Sequence, residues 1–245
     1  MKNEYGIPYN DSWYNPKKAD CKEIGPRMIA FDFDSTINDM GEPLGRYIAK
    51  MLGCSEDEAR AYGSQGERLF HFEREGVSDE AMSQLVRRYV LEESPSLLPT
   101  PWAMEVLAYI WSVTGQPITV ITYRQIESVE VTYTWLRENL SVPFTLIMLH
   151  GMQKDVVLRR LDTQVFIDDR YKTISKLEGA ISMPVLYSRP WNQGRQIPAG
   201  AMAVTDLRGL IPIINFMTRT NILTWPVGVP YPGWTCRGKK VDLYA

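Results

Sequence analysis

The chain has 245 residues, of which 44% are hydrophobic and 23% charged, and a formal net charge of -2. That length accommodates one large domain or a core with an inserted module, and the composition is that of a globular protein. The near-neutral balance excludes the electrostatic footprint of a nucleic-acid or anionic-membrane binder, and no apolar run is long enough to span a membrane.

Residues 1–27 are polar and aromatic, with Pro8, Pro16 and Pro26, and read as an irregular arm pinned to the core by Trp13 and Tyr14. The first residues, Met1 to Pro8, contain no apolar core of signal-peptide length. Cys21, Cys54 and Cys236 show neither metal-ligand spacing nor a disulfide framework, so a reducing cytoplasm is the expected setting.

A short apolar strand, Met28 to Phe31, then runs into Asp32-Phe33-Asp34-Ser35-Thr36. A two-residue spacing on a strand points both carboxylates to one face. Such a pair is either an acidic turn or a place for a cation, and hard divalent ions take carboxylate oxygens.

Residues 42–98 have helical character. Leu44, Tyr47, Ile48, Met51 and Leu52 fall at helical spacing. Ser55 with Glu58 forms a capping box for a helix over 56–63, and Ser78 caps another over 79–92 with Met82, Leu85, Val86 and Tyr89 on one face. Between them, Glu67 to Arg74 reads as a further helix burying Leu69, Phe70 and Phe72, or as a stretch reaching a ligand. His71 and His150 are the only histidines and have no metal-ligand spacing. Pro95 and Pro99 end the segment.

From Pro101 strands and helices alternate: helix 102–113, strand 118–122, helix 127–140, strand 144–149, helix 154–161, strand 164–168, helix 171–179 and strand 184–188. A last helix covers 209–219. The tail, 220–245, sets Trp225, Tyr231 and Trp234 among prolines and is expected to wrap the core, with Arg237, Lys239 and Lys240 facing solvent. Such alternation predicts a three-layer α/β sandwich around a parallel sheet. Ligands of such sheets gather outside the carboxyl ends of the strands. Thr122, followed by Tyr123 and Arg124, stands at one such end, and Asp168 and Asp169 at another; Lys154 opens a helix between them.

The Asp-x-Asp-x-Thr block at 32–36, the strand-terminal Thr122, Lys154 and the Asp168-Asp169 pair, in this order, resemble the haloacid dehalogenase-like (HAD) hydrolase superfamily over residues 28–190. The family more often has Gly where Ser35 stands. The resemblance implies a five-stranded sheet of order 3-2-1-4-5, a core of 28–41 and 99–219, and a small helical cap, 42–98, over the active site. It implies Mg2+ held by Asp32, the backbone carbonyl of Asp34 and the 168–169 pair, with Asp169 the direct ligand and Asp168 its support. Asp32 is then the nucleophile that forms an aspartyl-phosphate, and Asp34 the acid and base. Thr122 and Lys154 hold phosphoryl oxygens, and the backbone N–H groups of Phe33 and Tyr123 add donors. Arg124 reaches the substrate or makes a structural salt bridge.

The presence of Asp34 favours a phosphatase over a dehalogenase. The loop Arg189-Pro190-Trp191-Asn192-Gln193-Gly194 and the run Ile167-Asp168-Asp169-Arg170 resemble the 5'-nucleotidase branch, which implies a (deoxy)nucleoside 5'-monophosphate as substrate. The bland reading of that loop is Trp191 packed on the sheet edge. Two other substrates remain open: a nucleic-acid 3'-end, because Thr122-x-Arg124 and the Ile-Asp-Asp-Arg run also resemble polynucleotide 3'-phosphatases, and a sugar phosphate or other metabolite. The acidic excess of the cap segment opposes a polyanion. A non-catalytic binding module is the reading from a different class, opposed by the complete acidic set. The sequence gives no oligomeric state.

Overall fold

A computed structural model describes residues 29–53, 78–149, 151–218, 234–236 and 239–241. The arm over 1–27, the capping box at Ser55, the Glu67–Arg74 stretch with His71, His150, Cys21, Cys54 and most of the tail lie outside the described residues.

Six parallel strands form the sheet: β1 (Ile29–Phe31), β2 (Ile118–Thr122), β3 (Phe144–Met148), β4 (Val165–Asp168), β5 (Met183–Tyr187) and β6 (Met202–Val204). Their order is 3-2-1-4-5-6, and two antiparallel strands, β7 (Trp234–Cys236) and β8 (Lys239–Val241), extend the β6 edge. The expectation of five strands is therefore corrected. β6 has only three residues, too few to show a period, and it is a strand because it pairs with β5 and is buried. The tail, expected to wrap irregularly, contributes β7 and β8 to the sheet.

The strands are apolar runs because helices cover both faces of the sheet. Ile29 and Phe31 of β1 join Val106, Leu107 and Ile110 of α3 (Ala103–Thr114), Trp135 and Leu136 of α4 (Val129–Asn139), and Ile213 and Ile214 of α7 (Leu210–Thr218). Ala30, which points the other way, joins Val157 and Leu158 of α5 (Lys154–Arg160) and Ile174 of α6 (Tyr171–Ser175). The strand period of two thus builds both cores of a three-layer sandwich. α6 ends at Ser175, short of the expected 179, and Gly179 lies in the left-handed region at φ 65°.

The inserted segment starts with α1 (Gly41–Leu52) and returns through α2 (Asp79–Glu92). The Ser78 hydroxyl accepts from the Ala81 N–H at 3.2 Å, as the sequence predicts. Leu44, Ile48, Met82, Tyr89 and Leu97 form a third, separate core. Among the described residues no helix is long and apolar enough to cross a membrane.

Candidate active site

β1 is central, between β2 and β4. Its ladder continues one residue further, where the Asp32 N–H donates to the Ile167 carbonyl at 2.8 Å and sets Asp32 beside Asp168. The chain then turns: the N–H groups of Ile37 and Asn38 both donate to the Phe33 carbonyl at 2.9 and 3.2 Å. The Asn38 side chain ties the turn, accepting from the Ser35 N–H at 3.1 Å and donating to Asp34 Oδ1 at 3.2 Å. Ser35 takes φ 61°, where a side chain costs about 1 kcal/mol, at the position where Gly is the commoner residue of the resembled family.

Lys154, in the first turn of α5, is buried to 1% exposure, and its Nζ lies 2.5 Å from Asp32 Oδ1 and 2.7 Å from Asp168 Oδ2. Its backbone N–H donates to the Tyr123 hydroxyl at 3.2 Å. Asp168 is fully buried, and its other oxygen accepts from the Arg170 N–H at 2.7 Å. Asp169 faces the cleft instead. Its Oδ2 accepts from the Trp191 indole at 2.8 Å, and its carbonyl from Asn192 Nδ2 at 2.6 Å. Trp191 is thus more than a sheet-edge filler.

Asp32, Asp168 and Asp169 each offer an oxygen within 4.8 Å of the others. The Asp32 carboxyl stands at about 7: burial raises it most, Lys154 works against that rise, and Asp168 and Asp34 add to it. Burial, then Asp168 and Asp32, hold Asp169 well above the usual carboxylate range. Burial works against the Lys154 ammonium, but Asp168 and Asp32 together outweigh it and hold it above its ordinary range. Three buried acids facing one buried ammonium leave the site short of positive charge. The all-oxygen donor set fits a hard divalent cation such as Mg2+.

Arg124 is 2% exposed in its side chain and grips Asp34 through Nε, 3.0 Å from both carboxylate oxygens, and through Nη2 at 2.7 Å. Its Nη1 donates to Ser94 Oγ at 3.2 Å and Thr132 Oγ1 at 3.1 Å, and the guanidinium lies 4.6 Å from the Phe33 ring centre. Of the two alternatives open for Arg124, the structure contains the salt bridge. The Thr122 hydroxyl is buried and accepts from the Arg124 N–H at 3.1 Å. Phe33 packs edge-on against Trp135 and is fully buried, which leaves its backbone N–H as the group it can present.

Asp32, Asp34, Thr122, Tyr123, Arg124, Lys154 and Asp169 line one cleft with Trp191. The cleft encloses about 1080 Å³, solvent at its mouth included, and its far side carries apolar residues, Met40 and Leu44 near α1 and Val86, Val90 and Leu91 on α2, beside Ser83 and the Arg87–Glu127 ion pair. Sequence reasoning missed Ser94 and Thr132, which brace Arg124, and the ion pair of Arg189 with Asp39. Isolated serines and threonines have many structural uses, so nothing in the pattern singled them out.

No protein-family model matches the chain, and no curated protein matches its sequence. Solved structures do match in fold. A hydrolase from Pseudomonas syringae aligns with a TM-score of 0.53 at 13% identity, over 78% of this chain and 99% of that one. A protein from Haemophilus somnus 129pt, described as a predicted phosphoglycolate phosphatase, aligns with 0.51 at 17% identity, over 77% and 97%. The HAD-hydrolase YfnB from Bacillus subtilis, bound to magnesium, aligns with 0.50 at 18% identity, over 78% and 99%. At these identities the likeness is one of fold, shared with HAD-superfamily hydrolases.

Proposed function

We propose that the chain is a Mg2+-dependent phosphomonoesterase acting on a small phosphate ester, a (deoxy)nucleoside 5'-monophosphate, through an aspartyl-phosphate on Asp32. The observation that carries this reading is Lys154 bridging Asp32 and Asp168 at 2.5 and 2.7 Å, with Asp169 alongside and Asp34 at the same cleft.

In this reading Asp32, the Asp34 carbonyl and Asp169 hold Mg2+, and Asp168, engaged by Lys154 and the Arg170 N–H, supports them. Bound there, the ion neutralises phosphoryl oxygens that would otherwise repel an attacking carboxylate. Lys154 holds one oxygen of Asp32, and the other attacks phosphorus. The bond to the leaving alcohol breaks, its electron pair stays on the alcohol oxygen, and Asp34 supplies the proton. Water then attacks the phosphoryl group and returns a proton to Asp34, which frees phosphate and restores the Asp32 carboxylate. Thr122, Lys154 and the N–H groups of Phe33 and Tyr123 orient phosphoryl oxygens. Arg124 holds the Asp34 carboxylate through Nε and Nη2, so that pairing sets where the acid stands in the cleft.

The domain reading follows: residues 28–41 and 99–219 act as the core and 42–98 as a cap that excludes water. The apolar side chains Met40, Leu44, Val86, Val90 and Leu91 in the cleft suit the flat face of a nucleobase, and the 189–194 loop adds the 5'-nucleotidase resemblance. The phosphoglycolate description of one fold neighbour makes a small metabolite phosphate the second reading.

The test is a panel of nucleoside monophosphates, sugar phosphates and short-acid phosphates, assayed with Mg2+ and with EDTA. Turnover should need Mg2+, favour nucleotides and vanish in Asp32→Asn. Mg2+-dependent turnover retained by Asp32→Asn would refute the nucleophile.

A further inference from the structure

The Lys154 ammonium stands at the end of a long flexible stem that leaves the first turn of α5, so its place in the site depends on how both ends of the side chain are held. Asp32 and Asp168 hold the far end at 2.5 and 2.7 Å. The near end is a helix start, where the first N–H groups have no partner within the helix. Gln153, the residue before α5, makes no capping hydrogen bond with its side chain. Tyr123, 31 residues earlier, closes that end instead: its hydroxyl accepts from the Lys154 N–H at 3.2 Å. The Tyr123 ring centre also stands 5.0 Å from Lys154 Nζ, within reach of a cation–π attraction, and the Phe166 ring centre lies 5.3 Å from it. One phenol thus touches the lysine at its backbone and at its charge. Phe166 is fully buried and belongs to the core, whereas Tyr123 is 46% exposed, lines the cleft and directly follows Thr122 of β2. An aromatic side chain left nearly half in solvent gains less from burial than one in a core, so packing alone does not account for it.

We infer that Tyr123 is a positioning residue for Lys154. Its hydroxyl fixes the first turn of α5 to the carboxyl end of β2, and its ring keeps the ammonium at the level of Asp32. The Thr122 hydroxyl and the Lys154 ammonium are thereby held in one register. This rests on the phosphomonoesterase reading and deepens it, because both groups orient phosphoryl oxygens there. The phenol acts through Lys154 and not on the substrate.

The test joins steady-state kinetics on p-nitrophenyl phosphate with Mg2+ to hydrogen exchange by NMR on the metal-free protein. Tyr123→Phe keeps the ring and removes the acceptor, and Tyr123→Leu removes both. We expect kcat to fall about tenfold in the Phe variant and about 100-fold in the Leu variant, with KM within about twofold in each. In a Lys154→Met background the same changes should alter the residual kcat by less than about twofold, because the group they act through is gone. The Lys154 amide should exchange about tenfold faster in Tyr123→Phe, while the Val157 amide, bonded to the Gln153 carbonyl at 3.3 Å, keeps its rate within about twofold. The Lys154 ammonium should exchange faster in Tyr123→Leu. An unchanged kcat in Tyr123→Leu, a rise in KM at constant kcat, or a loss that persists beside Lys154→Met overturns the positioning role. So does a Lys154 amide whose exchange ignores the phenol. If the wild type does not turn over p-nitrophenyl phosphate, the phosphomonoesterase reading falls, and the two exchange rates still judge whether Tyr123 holds the lysine.

Discussion

Lys154→Met keeps most of the buried stem and removes the only ammonium among three buried carboxylates. Lys154 touches Asp32 and Asp168 at 2.5 and 2.7 Å, both partners are nearly inaccessible, and Asp169 offers an oxygen within 4.8 Å of one oxygen of each. Removing one partner of a buried pair costs about 3–5 kcal/mol, because the other charge stays behind without compensation. The loss depends on pH. Lys154 lowers the Asp32 carboxyl, so its removal moves that group above about 7. Below that value a proton neutralises Asp32 and replaces part of the missing positive charge. Chemical denaturation of the variant in EDTA should therefore show the full loss near pH 8 and less than about half of it near pH 5. Saturating Mg2+ should stabilise the variant more than the wild type, since the cation supplies the lost charge. A loss below about 1 kcal/mol near pH 8 in EDTA would show that these carboxylates are not held together by Lys154.

The metal-free wild type carries a milder form of the same dependence. Its Asp32 carboxyl stands at about 7 against an ordinary 3.8, so that contribution is intact below about pH 4 and lost as pH rises through 7, by at most about 4 kcal/mol. Mg2+ at about 100 times its Kd should return about 2.7 kcal/mol near pH 8, and a flat metal-free profile between about pH 5 and 8 would contradict the charge shortage. Trp191→Phe removes the indole N–H that lies 2.8 Å from Asp169 Oδ2. Mg2+ affinity measured by calorimetry should fall about 10- to 100-fold, and an unaltered affinity would separate Trp191 from the metal site. Arg124→Lys keeps a charge but loses the fork that joins Asp34 to Ser94 and Thr132. We expect kcat to fall about tenfold or more with KM nearly constant, and stability to fall by about 1–3 kcal/mol. Steady-state kinetics and thermal melts check both, and an unchanged kcat would show that Arg124 does not position Asp34 for the reaction.

Elements whose pattern is local were legible in the sequence. β2 falls at 118–122 and α2 at 79–92 as expected, one from a continuous β-branched run and the other from Ser78 and its apolar face. The parallel sheet followed from alternation, and its strand order, up to β5, from the resemblance alone. What the sequence hid depends on contacts between distant residues. Arg124 and Asp34 are 90 positions apart, and a salt bridge to this partner could not be told from a substrate contact. Asp168 and Asp169 are neighbours with identical side chains; only the placement of Lys154 and Trp191 tells them apart. β6 and the β7–β8 pair are three-residue strands, made strands by the edge they join.

The indole that touches Asp169 rests its opposite edge on Gly41, the first residue of α1. A methyl group at Gly41 would stand 2.6 Å from Trp191 Cζ3, nearer still to Cη2, and 3.2 Å from Ser35 Oγ. Helix propensity alone would favour alanine there, so the hydrogen atom is kept by its neighbour across the cleft. In evolutionary terms the two sites form a hinge pin and its socket. A larger residue at position 41 calls for a smaller one at position 191, so the two are expected to change together.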